Sequence, residues 1–129
     1  MMGVLIDTSV WIDHFRHGND GLAEIIGLDL AMTHPMVIVE IACGTPPAPR
    51  AQTLHDISLL QQCHQASLTE VMEFIEREKL YGLGCGLVDI VLLASTLMTR
   101  NYGRLISGSL NWPENSAWST IQPATRHFC

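Results

Sequence analysis

The segment "GVLIDTSVWIDHF" constrains the fold more than any other. Val4, Leu5 and Ile6 are apolar, with no polar residue alternating between them, as in a strand covered on both faces. The chain then passes through Asp7 into Trp11, Ile12 and Phe15, apolar residues at helical spacing. A buried strand that feeds a helix at once is the first half of a parallel crossover unit.

The remainder continues the alternation. Thr8 or Ser9 is placed to cap the first helix, which stops at "HGND". "GLAEIIGL" predicts a second short helix and "LAMTH" a strand. Pro35 suits the first turn of a helix "PMVIVEIACG" closed by Gly44. The prolines of "TPPAPR" break the chain. "AQTLHDISLLQQC" then has helical spacing at Leu54, Ile57 and Leu60. "SLTEVMEFIEREKL" opens with a capping box, Ser67 to Glu70, and carries Val71, Phe74 and Ile75 on one face. After the glycines of "YGLGCG" comes "LVDIVLLASTLM", apolar all round and therefore a buried helix. "RLISG" reads as a last strand, and residues 108–129 lose periodicity and read as an irregular tail. The expectation is a single domain over residues 1–129, of α/β class, with a parallel sheet flanked by helices on both faces.

Apolar residues form 47% of the chain and charged residues 16%, which excludes a disordered chain and leaves apolar surface for a partner. The net charge of −6 has the wrong sign for holding nucleic acid by bulk electrostatics. The longest apolar stretch is too short for a bilayer and contains an aspartate. "MMGVLID" has no basic leader, so a cytoplasmic protein is expected. Cysteines 43, 63, 85 and 129 form no C-x-x-C pair and read as reduced thiols. His14 and His17 sit at i and i+3 without a completing zinc pattern, and read as solvated groups at a helix end.

Three carboxylates stand out by isolation. Asp7 is the only charged residue from Met1 to Ile12, Glu40 from Pro35 to Pro49, and Asp89 from Leu80 to Thr99. An ionised carboxylate in a segment built for burial needs a partner or must protonate. None of the seven Lys and Arg lies in these segments. A divalent cation would compensate all three, and hard oxygen ligands suit Mg²⁺ or Mn²⁺. Asp7 also stands where parallel sheets bind ligands, at the carboxyl end of a strand. Plainer alternatives stay open: Asp7 as an N-cap, Glu40 facing solvent, Asp89 as a first-turn acid favoured by the helix dipole.

Other chemistries fit less well. Thr8 and Ser9 read as caps rather than nucleophiles, because no histidine is placed to activate them. "GLGCG" matches neither phosphate-loop pattern. Aspartyl phosphotransfer of the haloacid-dehalogenase kind wants a second aspartate two residues after the first, where this chain has Ser9.

"VLIDTSVWIDHFR", "THPMVIVEIACG" and "LYGLGCGLVDIVLLAS" together resemble, in order and spacing, the PIN-domain ribonucleases, specifically the VapC-type toxins of bacterial toxin–antitoxin pairs. The resemblance runs from about Val4 to about Met98. It implies a metal-dependent endoribonuclease acting on RNA, forming a homodimer and held in check by a cognate antitoxin. Carried onto this chain, it makes Asp7 and Asp89 ligands of Mg²⁺ or Mn²⁺ and Glu40 a ligand or water-orienting base. Thr8 or Ser9 would hold Asp7 in place. The family usually offers a fourth acid after the last strand. "LISGS" here puts Ser109 at that place, without charge. That departure keeps a second reading open, a catalytically weakened PIN-fold binding module that still dimerises and binds an antitoxin. RNA binding would require Arg16, Arg50, Arg77, Lys79, Arg100 and Arg104 to gather near the acids.

Overall fold

A computed structural model describes residues 3–98 and the backbone of 104–106. Ser109 and the expected irregular tail lie outside these residues. The described chain is α/β. In order it runs β1 (Val4–Ile6), α1 (Thr8–His17), α2 (Asp20–Gly27), β2 (Ala31–Thr33), α3 (Pro35–Cys43), α4 (Arg50–Ser58), β3 (Gln61–Gln62), α5 (Leu68–Glu78), α6 (Leu87–Leu97) and β4 (Arg104–Ile106).

The strands form one sheet in the order β3-β2-β1-β4. Every pairing is parallel: Val4 pairs with Ala31 and Arg104, Leu5 with Met32 and Leu105, and Met32 with Gln61. All three residues of β1 and all three of β2 are buried, so both faces of the central strands are covered, as parallel sheets require. The core around them includes Leu22, Ile25, Val37, Phe74 and Leu92. Within α6, every residue from Ile90 to Thr96 is buried, while Leu87 and Leu97 at its ends are exposed.

Local sequence chemistry sets the helix boundaries. Asp7, rather than Thr8 or Ser9, is the N-cap of α1; its side chain accepts from the Ser9 amide. Asn19 caps α2 by accepting from Leu22 N–H at 2.9 Å. His34 caps α3, with Pro35 at its first position, where a missing amide hydrogen costs nothing. The Ser67–Glu70 capping box opens α5 with both of its bonds formed. Lys79 closes α5 in the left-handed conformation.

A buried polar hub ties α6 to the β2–α3 junction. His34 Nδ1 accepts from Met36 N–H at 3.0 Å, so the ring proton sits on Nε2. That proton is donated to Ser95 Oγ at 3.1 Å. Ser95 Oγ also accepts from Ala66 N–H at 3.1 Å and donates to Val91 C=O at 2.7 Å. Burial, and secondarily the charge of His64, hold the His34 imidazole below its usual titration range. It therefore acts as a neutral structural linker.

Besides the cap of α1, two expectations change. Residues Gln61–Gln62, absorbed into a helix-to-cysteine stretch by pattern, form the sheet-edge strand β3. Cys85 is disulfide-bonded rather than a reduced thiol. Among the described residues, no helix is long and apolar enough to cross a membrane.

Candidate active site

The topology brings two helix N-termini to one edge of the sheet. Asp7 follows β1 directly. α6 precedes β4, which pairs parallel to β1, so α6 runs back across the sheet and starts at the carboxyl ends of the strands. Beside β1 the connectivity also changes direction, with β2 on one side and β4 on the other. Ligand sites of open α/β sheets form at such a crevice.

Asp7 is 8% exposed. Its Oδ2 accepts from the Ser9 hydroxyl at 2.5 Å and from the Ser9 amide at 3.3 Å. Its Oδ1 takes no hydrogen bond among the described residues. Asp89 is the third residue of α6. Its carboxylate folds back toward Gly86, with Oδ2 3.5 Å from the position a Cβ would occupy there. Burial first, and then the charge of Asp7, push the Asp89 carboxyl above the usual carboxylate range. The two acids thus lie within each other's field. Glu40 arrives from α3, which packs on α1. Its Oε1 accepts from the Thr8 hydroxyl at 2.9 Å, so Thr8 holds Glu40 while Ser9 holds Asp7.

The charge of Asp7 reaches Asp89, and Glu40 is hydrogen-bonded to Thr8, the residue beside Asp7. Among the described residues, no three His, Cys, Asp or Glu side chains converge closely enough to form a ready-made metal cage. Described ion pairs join His17 to Asp13 and Arg77 to Glu78, and neither involves the three acids. As chemistry, the three acids are hard oxygen donors that form no ion pair among the described residues, the donor type that Mg²⁺ or Mn²⁺ takes. Mg²⁺ binds through one or two carboxylates and completes its shell with waters and substrate oxygens.

Sequence reasoning did not assign two features of this region. The exchange of roles between Thr8 and Ser9 depends on where α3 crosses α1, which spacing does not encode. A cleft of about 160 Å³ between those helices, lined by Ile12, Phe15, Arg16, Glu40, Ile41 and Pro46 among others, left only the apolar pattern of its walls as a signal.

A wholly parallel sheet in the order β3-β2-β1-β4 with the helices of the described residues packed around it is consistent with a PIN-like fold. No protein-family model matches the chain. It is 39% identical over 95 residues to Ribonuclease VapC32 of Mycobacterium tuberculosis strain CDC 1551 / Oshkosh, covering 74% of this chain and 76% of that protein. The same protein from strain ATCC 25618 / H37Rv gives the same values. The chain belongs to the VapC-type PIN-domain ribonucleases.

Proposed function

We propose that this chain is a metal-dependent endoribonuclease, the toxin of a toxin–antitoxin pair, which hydrolyses RNA phosphodiester bonds at Asp7, Glu40 and Asp89. One observation carries the reading. Ser9 occupies one oxygen of Asp7 and Thr8 one oxygen of Glu40, which leaves each carboxylate a second oxygen turned over to other work. Asp89, whose carboxyl is pushed up by burial and then by the charge of Asp7, makes no ion pair among the described residues.

Asp7 and Asp89 would hold the cation, Mg²⁺ or Mn²⁺, with Glu40 as a further ligand or as the base that orients water. When bound, such an ion neutralises charge developing on phosphate oxygens and acidifies water. The residues themselves position and exchange protons. Ser9 fixes the rotamer of Asp7 through two bonds, and Thr8 holds the Glu40 carboxylate so that its free oxygen is a proton acceptor. Asp7, the N-cap of α1, and Asp89, in the first turn of α6, also lie in the favourable field of the helix dipoles.

Large apolar side chains left exposed, Leu59, Leu68, Met72 and Leu87 among them, are apolar surface that a homodimer and an antitoxin partner would cover. The reading includes one domain over residues 1–129, a cytoplasmic location, and Ser109 in place of a fourth acid. The decisive experiment is Mn²⁺-dependent cleavage of an RNA panel by the wild type and by Asp7→Asn. The variant keeps the cap, because Asn and Asp cap helices equally well. It is expected to stay folded and lose cleavage; unchanged cleavage would refute the site.

A second reading, a weakened PIN-fold module that dimerises and binds an antitoxin without catalysis, draws support from the incomplete cage among the described residues. Titration of the purified chain with Mn²⁺ separates the two, since the module would take up no ion specifically.

A further inference from the structure

An acidic protein of net charge −6 that handles a polyanion needs a local cation beside its site. The three arginines whose side chains are described differ in what they already hold. Arg50 donates to the carbonyls of Gly44, at 3.2 Å, and of Ala42. Arg77 pairs with Glu78 at 3.3 Å and lies over the Phe74 ring at 5.7 Å. Arg16 makes no hydrogen bond or ion pair among the described residues. It is exposed at the end of α1 and lines the cleft that also reaches Glu40.

The wall beside it has the other half of a nucleotide's chemistry. Phe15 is half-buried, and its ring is braced by Trp11 at 6.0 Å and by His14 at 6.4 Å between centroids. Ile12, 38% exposed, Ile41 and Pro46 extend the apolar surface. A braced aromatic ring, aliphatic walls and an uncommitted guanidinium are what single-stranded RNA uses, with bases on the wall and a phosphate on the cation. Glu40 lines the cleft and accepts from Thr8, the chain neighbour of Asp7, so the cleft opens beside the acids at Glu40.

We propose that this cleft between α1 and α3 is an RNA subsite. Arg16 binds the phosphate next to the scissile one, and Phe15 and Ile12 pack on the adjoining base. The subsite rests on the phosphodiesterase reading of the acids, and specifies how the substrate is oriented there. A protein segment is the competing occupant. It is disfavoured because an apolar helix leaves the guanidinium without a partner, whereas an RNA phosphate pairs with it.

The test is fluorescence anisotropy with a short labelled single-stranded RNA, titrated against KCl in calcium buffer free of magnesium and manganese. Arg16→Ala, exposed and therefore safe to fold, is expected to weaken binding about tenfold and to flatten the salt dependence by about 0.7 in log–log slope, the value for one phosphate contact to a single strand. Arg16→Lys restores the slope. Phe15→Leu weakens binding at unchanged slope. Arg77→Ala, on α5, is the control and leaves both unchanged. Equal effects of Arg16→Ala and Arg77→Ala overturn the subsite, as does a wild type that binds no RNA. Loss of binding to a protein partner with RNA affinity intact overturns it too, and assigns the cleft to protein. Cleavage by the wild type is scored separately. Arg16-dependent binding without cleavage sinks the catalytic reading alone, and cleavage with an Arg16-independent slope sinks the subsite alone.

Discussion

Replacing Ser95 by alanine tests whether the buried hub positions the helix that carries Asp89. Ser95 is fully buried, and its hydroxyl accepts from His34 Nε2 and Ala66 N–H while donating to Val91 C=O. Alanine removes both acceptor functions at once. Two interior donors are left without partners, at about 1–3 kcal/mol each. The Val91 carbonyl suffers less, because a helix-interior carbonyl also accepts from the amide four residues on. The expected destabilisation is about 2–4 kcal/mol, or a fall in Tm of roughly 10 °C for a domain of this size. Urea unfolding followed by far-ultraviolet circular dichroism measures it as a drop in midpoint at constant slope. His34→Ala and the double variant complete a cycle. The double variant is expected to lose less than the two single losses added together, by at least about 0.5 kcal/mol. A loss below about 0.5 kcal/mol for Ser95→Ala, or strict additivity, would refute the hub.

Other substitutions probe the interior and the acids. Thr33 is fully buried in β2 and its hydroxyl has no partner among the described residues, so Thr33→Val is expected to raise stability by about 1 kcal/mol in chemical denaturation. Asp89, with its folded pKa raised above the 3.8 of the free side chain, loses stability as pH climbs through the window above that value, and the whole penalty is present at neutrality. Asp89→Asn is therefore expected to melt higher than the wild type in EDTA at pH 7, to lose that advantage near pH 3.5, and to gain nothing from Mn²⁺. For His34 the sign is opposite in cause: its folded pKa lies below 6.5, so stability falls as pH drops below 6.5 and levels off once the folded ring protonates. His34→Asn, which still caps α3 but does not titrate, is expected to show a flatter stability profile between pH 5 and 7, read by thermal melts.

Much of this architecture was legible because single residues carried it. Continuous apolar runs at Val4–Ile6 and in α6 required a covered sheet, and Pro35, Gly44 and the Ser67–Glu70 box fixed helix ends to within a residue or two. Gln61 and Gln62 escaped notice because an edge strand needs only backbone pairing; the ladder to Met32 and Thr33 makes it, whatever the side chains. The hub escaped for a different reason. His34 and Ser95 lie 61 residues apart, and each alone looks like a cap or a helix-lining hydroxyl. For the acids, isolation in apolar segments flagged Asp7, Glu40 and Asp89, but their partners in space are set by helix crossing.

The N-cap role of Asp7 is compatible with the metal-ligand role proposed for it. Capping uses one carboxylate oxygen, Oδ2, which takes both bonds from Ser9, while Oδ1 accepts none among the described residues. A carboxylate left to itself would pay the entropy of ordering when a cation arrived; this one has been ordered already by folding. Thr8 does the same for Glu40. Asp89 has no side-chain hydrogen bond of that kind among the described residues, and it is the acid whose charge burial and Asp7 oppose. Burial first, and then the charge of Asp7, thus impose an electrostatic cost on Asp89. That residue sits on the helix anchored by Ser95, so loosening the hub should relieve Asp89 and spoil its approach to Asp7 together.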